Sequence, residues 1–430
     1  MVARDEVVSA AAARAGAFRW VICGLLFAAT AINYVDRQIL GVLKPTLQHE
    51  LGWNEIQYAD IVFWFQAAYA VGYLGFGRLI DKIGARFGFA LAFVIWTVFH
   101  VAHAVVRSAT GFTLVRVGLG LGESGNFPAG VKAVAEWFPK RERALANSIF
   151  NAGSGIGAII TPLIVPAITL AYGWRATFVI TGSFSLIWLV VWIAMYRHPR
   201  NHPRVGAAEL ALIESDPPDT EAQQNIPWSR LLRVKETWAY ALAKFLIDPI
   251  WWMYLFWLPG FFADRYHLDL KSFGPPVVAV YVMSDVGSVA GGWLSSLLLR
   301  RGFSLSAARK LTMLISCFLI LPIVTAQYAD NLWLAVVILG VATAAHQSFS
   351  ANLYTLPSDV FPRAAVGSVI GIGGTVGAIG GMLMAQYTGY VLQTIGSYTP
   401  IFVVAVAAYA LALGVVQWLS PTYAPAQVDF

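Results

Sequence analysis

The feature that most constrains this chain is a string of apolar runs, each about as long as the hydrocarbon core of a bilayer is thick. Twelve can be marked, near 19–43, 58–80, 87–106, 111–137, 145–169, 174–196, 238–263, 275–299, 308–327, 331–357, 364–391 and 398–420. A helix needs about 20 apolar residues to cross a bilayer, so these crossings take up more than half of the 430 residues. Only 12% of the residues are charged, against about 25% in ordinary soluble domains. A soluble enzyme, a disulfide-rich secreted scaffold and a disordered chain are thereby excluded. Cys23 and Cys317 both sit inside apolar runs, which argues against a disulfide or a cysteine-held metal. No cofactor is expected.

The net charge is +6, yet most of the Lys and Arg gather at the N-terminus and in the even-numbered loops. That asymmetry places both termini in the cytoplasm. It also argues against a nucleic-acid partner, which needs a basic patch on one folded surface. Residues 1–18 hold Arg4, Asp5, Glu6 and Arg14 with no apolar stretch of their own, so they read as a cytoplasmic tail and not as a cleaved signal. The expected order is that tail, a six-helix half over 19–196, a linker over 197–237, a second six-helix half over 238–420 and a short cytoplasmic tail over 421–430. The linker carries Arg200, Arg204, Glu209, Glu214, Asp216, Pro217, Pro218, Asp219 and Glu221 and reads as solvated.

An internal repeat supports the division. Glu136-Trp-Phe-Pro139-Lys140 recurs as Asp359-Val-Phe-Pro362-Arg363, and Ser148–Ile159 (SIFNAGSGIGAI) matches Ser368–Ile379 (SVIGIGGTVGAI) at nearly the same offset. Parallel halves of this kind place a substrate site between them near the bilayer midplane. The pairs Gly153/Gly157 and Gly373/Gly377 lie within apolar helices with no strand before them, so they read as close helix contacts and not as phosphate loops.

Charges inside the spans are the most informative residues. Asp36 and Arg37 interrupt the first span, Arg116 and Glu123 the fourth, and Asp285 the eighth. Each costs about 2.5 to 3.5 kcal/mol at a lipid-facing helix centre. They must therefore face a polar interior, either as static ion pairs or as a working site. Arg116 and Glu123 lie two helical turns, about 10.5 Å, apart, too far for a direct bond along the helix. Each needs a partner from elsewhere, and Asp36 or Arg37 is available to supply it. A carboxylate that moves relative to an Arg takes up or gives back a proton.

In the second half, Glu123 maps through the repeat onto His346, followed by Gln347 and later by Asn352 and Thr355. A polar stripe of this kind in an apolar helix fits a lined cavity. His100 and His103 on the third span lack such company and read as structural. Tyr34, Tyr69 and the Trp251-Trp252-Met-Tyr254 cluster supply rings with polar tips, suited to stacking on a sugar or to ordinary packing.

After the second span the chain reads Gly77-Arg78-Leu-Ile-Asp81-Lys82-Ile-Gly84-Ala-Arg86. It resembles the loop signature of the major facilitator superfamily, G-x-x-x-D-[RK]-x-G-x-[RK]. Arg116-x-x-x-Gly120-x-Gly122 and Gly173-Trp174-Arg175 add to the resemblance, whereas the second-half counterpart has Ser296 where an Asp would stand. Three further stretches carry the likeness to one branch of that superfamily: Asn33-Tyr34-Val-Asp36-Arg37, Gly122-Glu-Ser-Gly-Asn126-Phe-Pro128, and Ala345-His-Gln-Ser-Phe-Ser-Ala-Asn352 with Thr355 and Pro357. They resemble the anion:cation symporters, and within them the hexuronate transporters.

The resemblance implies an all-α membrane protein of the major facilitator fold, with twelve transmembrane helices in two six-helix halves. The implied activity is proton-coupled import of galacturonate or glucuronate across the inner membrane by a monomer whose partners are the sugar acid, protons and lipid. Asp36 and Glu123 would carry the protons, with Arg116 modulating them. Tyr34, Arg37 and Tyr69 would hold the sugar acid, Arg37 taking its carboxylate. Trp252, His346, Gln347, Asn352 and Thr355 would complete the site, with Ser154 standing where related carriers place a Gln. Gly77, Asp81, Lys82, Gly84 and Arg86 would form the gating loop. Carriage or exchange of another organic anion, such as an aldonate or an aromatic acid, is left open, as is a membrane nutrient sensor. No nucleophile with a base and no metal cluster speaks for an enzyme.

Overall fold

The computed structural model describes residues 16–216 and 226–427. Most of the N-terminal tail, the linker stretch with Pro217, Pro218, Asp219 and Glu221, and the last three residues lie outside them. Among the described residues, nine helices are long and apolar enough to cross a membrane. Two of these hold two crossings each. Glu55–Ala102 and Lys140–Met195 carry non-helical glycines at Gly84 (φ 81°) and Gly173 (φ 82°), a left-handed backbone that glycine adopts without a steric penalty. The chain folds back at both. Gly88 packs on Ile80, and Thr169 Oγ1 lies 2.8 Å from Thr177 Oγ1, contacts that a straight helix, rising about 12 Å over eight residues, forbids. The broken helix Ala109–Glu123 and Asn126–Trp137 supplies the remaining crossing, making twelve spans in two halves of six.

Helix starts follow side-chain chemistry. Asn54 and Gln57 form a reciprocal capping box, and Ser108, Ser304 and Asn331 accept from backbone N–H groups in the first turns of their helices. Each such cap satisfies donors that a helix start leaves unpaired. The repeated Phe-Pro of the two halves behaves alike in both. Pro139 and Pro362 stand just before the helices Lys140–Met195 and Arg363–Thr394, with ψ of 151° and 148°, since proline ends the preceding helix and starts the next. The other spans are Phe18–Val42, Lys235–Tyr266, Gly274–Arg300, Leu305–Ile320 with a 3-10 continuation to Tyr328, Leu332–Leu353 with Leu356–Val360, and Thr399–Leu419.

The linker is less solvated than its composition suggests. Ala207–Ile213 forms a helix, and Glu209 is fully buried, accepting from Arg19 N at 3.0 Å. Arg19 also bonds Glu142 at 2.8 Å, so this segment is fastened to the first half.

The two ends of the bundle differ. Hydrogen bonds between the halves gather at the end opposite the linker: Glu55 N to Gln393 Oε1 at 3.1 Å, Tyr58 Oη to the Phe256 carbonyl at 2.8 Å and Gln386 Nε2 to Asp60 Oδ1 at 2.8 Å. At the linker end, charged side chains pair within their own half, Lys132 with Asp81 and Arg309 with Asp359. Among the described residues, hydrogen bonds thus join the halves at one end, while charged side chains pair within their own half at the other.

Candidate functional site

Arg37 stands at the centre of the bundle with 2% of its surface exposed. Its Nε donates to Glu123 Oε2 at 2.8 Å and its Nη2 to Asn33 Oδ1 at 3.0 Å. Four rings surround the guanidinium, Tyr69 at 4.8 Å, Tyr34 at 4.9 Å, Trp252 at 5.2 Å and Phe65 at 5.7 Å from ring centroid to Cζ. Arginine is the cation suited to such a cage, because its planar face stacks on aromatics while its edge donates. Trp252 belongs to the second half and the other three rings to the first. Arg37 is therefore covered from both sides of the interface.

The Arg37–Glu123 pair answers one expectation: Glu123 finds its cation on the first span. Arg116 makes no ion pair among the described residues. Its Nη1 donates to the Arg37 carbonyl at 3.3 Å, and its Nε and Nη2 have no hydrogen-bond partner. Asp36 faces the other way. Its Oδ2 accepts from Trp96 Nε1 at 2.8 Å and Ser185 Oγ at 3.0 Å, and its Oδ1 lies 3.3 Å from His100 Nε2. His100, read from sequence as structural, thus stands beside a buried carboxylate, with Thr181 Oγ1 at 2.8 Å from the same nitrogen. Asp36, Arg116 and Glu123 are fully buried. Glu123 Oε1 also lacks a hydrogen-bond partner, and each unsatisfied buried group costs about 1 to 3 kcal/mol. Such a cluster favours any rearrangement that supplies a proton or a polar ligand.

The second half contributes less than expected from the His346 stripe. His346 stacks on Trp251 at 5.3 Å and bonds the Tyr409 hydroxyl, so its ring is held among its own half. Asn352 Nδ2 donates to the carbonyls of Ser348 and Gly291 at 2.9 and 3.3 Å, joining the tenth span to the eighth. Thr355 Oγ1 donates to the Asn352 carbonyl and Ser154 Oγ to the Asn151 carbonyl. These three side chains donate to backbone, while Gln347 is half-buried. Asp285 lies against Gly155 of the fifth span, across the interface.

In the loop after the second span, Asp81 and Lys82 are exposed and Gly77 half-buried. Arg86 Nη2 donates to the Ile193 carbonyl at 2.7 Å, tying the loop to the sixth span. In the second half, Arg309 reaches Asp359 at 3.3 Å and Ser295 Oγ at 2.9 Å.

Sequence reading missed an ion pair on the seventh span. Lys244 Nζ lies 2.7 Å from Asp248 Oδ2 and also bonds the Tyr354 hydroxyl. The spacing Lys244-x-x-x-Asp248 inside an apolar run was the available signal, since residues four apart face each other on a helix.

Comparison with known proteins fits this geometry. Residues 26–385 match the family model described as Major Facilitator Superfamily. The hexuronate transporter of Escherichia coli (strain K12) is 32% identical over 407 residues, covering 93% of each chain. The galacturonate transporter of Dickeya chrysanthemi is 30% identical over 309 residues, 70% of this chain and 89% of that one. Among solved structures, a bacterial homolog of the human lysosomal transporter Spinster, in an inward-facing and unoccupied conformation, superposes with a TM-score of 0.72 at 17% identity, covering 95% of this chain and 97% of that one. The chain is a multi-pass membrane transporter belonging to the Major Facilitator Superfamily.

Proposed function

We propose that this protein imports hexuronates, galacturonate or glucuronate, together with protons, by alternating access between its halves. The observation that carries the reading is Arg37, a buried guanidinium caged by rings from both halves and paired with Glu123. A sugar acid offers what that cage can hold, a carboxylate for the guanidinium and an apolar ring face for the aromatics. The sugar acids named for the two relatives above support the same substrate class.

Energetics favour proton coupling. An inside-negative potential opposes entry of an anion by about 2.3 kcal/mol per charge per 100 mV. One co-transported proton cancels that penalty, and two turn the potential into a driving force. Glu123 and Asp36 are the carboxylates placed to take them. In this reading the substrate carboxylate competes with Glu123 for Arg37, and the displaced Glu123 is protonated. The protein works as a monomer in the inner membrane with the linker and both termini in the cytoplasm, so the end where Lys132–Asp81 and Arg309–Asp359 pair within their own halves faces inward.

Uptake of radiolabelled galacturonate and glucuronate into proteoliposomes, with and without an imposed proton gradient, tests the reading. Accumulation of at least one sugar that depends on the gradient is expected. Binding without flux under either condition would point instead to a sensor.

A further inference from the structure

The Lys244–Asp248 pair lies on the face of the seventh span that holds Trp252. Residues 244, 248 and 252 succeed one another at four-residue steps, about 6 Å of rise each, so the three side chains form one stripe. Trp252 ends the stripe beside the Arg37 guanidinium at 5.2 Å. The Tyr34 ring lies 4.9 Å from the same guanidinium. At the other end, Lys244 is 2% exposed, Asp248 is half-buried, and Tyr354 is 47% exposed while its ring lies 4.0 Å from Lys244 Nζ. Tyr240 closes the back of the cluster against Tyr354, with ring centroids 6.3 Å apart.

A static ion pair within one helix is a poor reason to carry two charges across a bilayer, because desolvation offsets their attraction. The pair has a use when it faces a polar ligand. A carboxylate accepts from one hydroxyl of a sugar, and the ammonium beside it donates to the neighbouring hydroxyl.

We infer that Lys244, Asp248 and the Tyr354 hydroxyl form a second subsite that binds the hydroxyls at the end of the substrate remote from its carboxylate. This rests on the sugar-acid reading above and deepens it. With the carboxylate at Arg37 and the ring over Trp252, the far hydroxyls fall one helical turn along the stripe, at Asp248. The subsite also discriminates. A substrate with a second carboxylate at its far end brings that charge against Asp248, so monocarboxylic sugar acids are preferred over their dicarboxylic relatives.

The test is binding of D-galacturonate and of galactarate to the purified full-length protein in lipid nanodiscs, by calorimetry. The wild type is expected to prefer galacturonate. Asp248→Asn leaves the Lys244 charge free to attract a second carboxylate and should shift the galacturonate-to-galactarate affinity ratio by about tenfold or more toward galactarate, the size of one charged contact. Because that variant buries an unpaired lysine, the neutral Lys244→Gln/Asp248→Asn double variant serves alongside it, and the preference should narrow there too. A wild type that prefers galactarate, or a ratio unchanged in whichever variant retains a cooperative thermal transition, overturns the subsite and leaves sugar-acid carriage standing. A wild type that binds neither of these acids, nor D-glucuronate, removes both readings.

Discussion

The two halves share a sequence repeat and treat buried charge differently. In the first half Arg37 and Glu123 pair between the first and fourth spans, and Arg116, Asp36 and Glu123 each keep a polar atom without a hydrogen bond. In the second half Lys244 and Asp248 pair within one helix, and Lys244 has Tyr354 as well. An intrahelical pair keeps its geometry when the halves rock, since both partners ride on the same rod. The Arg37 cage does not, because one of its walls, Trp252, belongs to the opposite half. On the proposed function, coupling would belong to the first half and steady recognition to the second.

The contrast breaks most plainly at Arg37. Arg37→Met leaves Glu123 buried without a cation and should cost about 3 to 5 kcal/mol of stability, read as a lowered thermal-unfolding midpoint, together with loss of sugar-acid binding. Adding Glu123→Gln should restore much of the stability and none of the binding. Full stability in the single variant would mean that the pair is not held as described.

A smaller effect is expected at the repeated glycines. A methyl on Gly157 meets the Ala31 carbonyl and Tyr34 Cβ, whereas one on Gly377 meets the Asp248 carboxylate. Backbone cannot turn aside and a carboxylate can. Gly157→Ala should therefore cost about 1 to 3 kcal/mol and Gly377→Ala less, by thermal unfolding of each. The reverse order would contradict the packing of the two repeats.

The smallest effects belong to the loop carboxylates. The Asp81 side chain is 78% exposed in its contact with Lys132, and Asp359 17% exposed in its contact with Arg309. Asp81→Asn should change stability by less than about 1 kcal/mol, and Asp359→Asn by more, in the same unfolding measurement. Equal effects would remove this difference between the halves.

Much of the fold was legible in the sequence because the bilayer sets the length of each apolar run, and Gly84, Gly173, Pro139 and Pro362 mark turns by their own backbone chemistry. Depth was legible for the same reason: Asp36, Arg37, Arg116 and Glu123 could be counted into their spans. Azimuth and partner were not. Asn352 and Thr355 look like cavity groups on a helical wheel, yet their donors go to backbone carbonyls. His100 looked isolated because its neighbour Asp36 comes from another helix. Lys244 and Asp248 carry their signal in the four-residue spacing alone, beside the more conspicuous Trp251 and Trp252.

On the proposed function Glu123 links Arg37 to the proton gradient, and Glu123→Gln in proteoliposomes tests this most directly. The amide keeps the side chain's shape and cannot titrate. The variant should lose accumulation of labelled galacturonate driven by a pH gradient while still exchanging labelled for unlabelled sugar across the membrane. Accumulation at the wild-type level would contradict the claim.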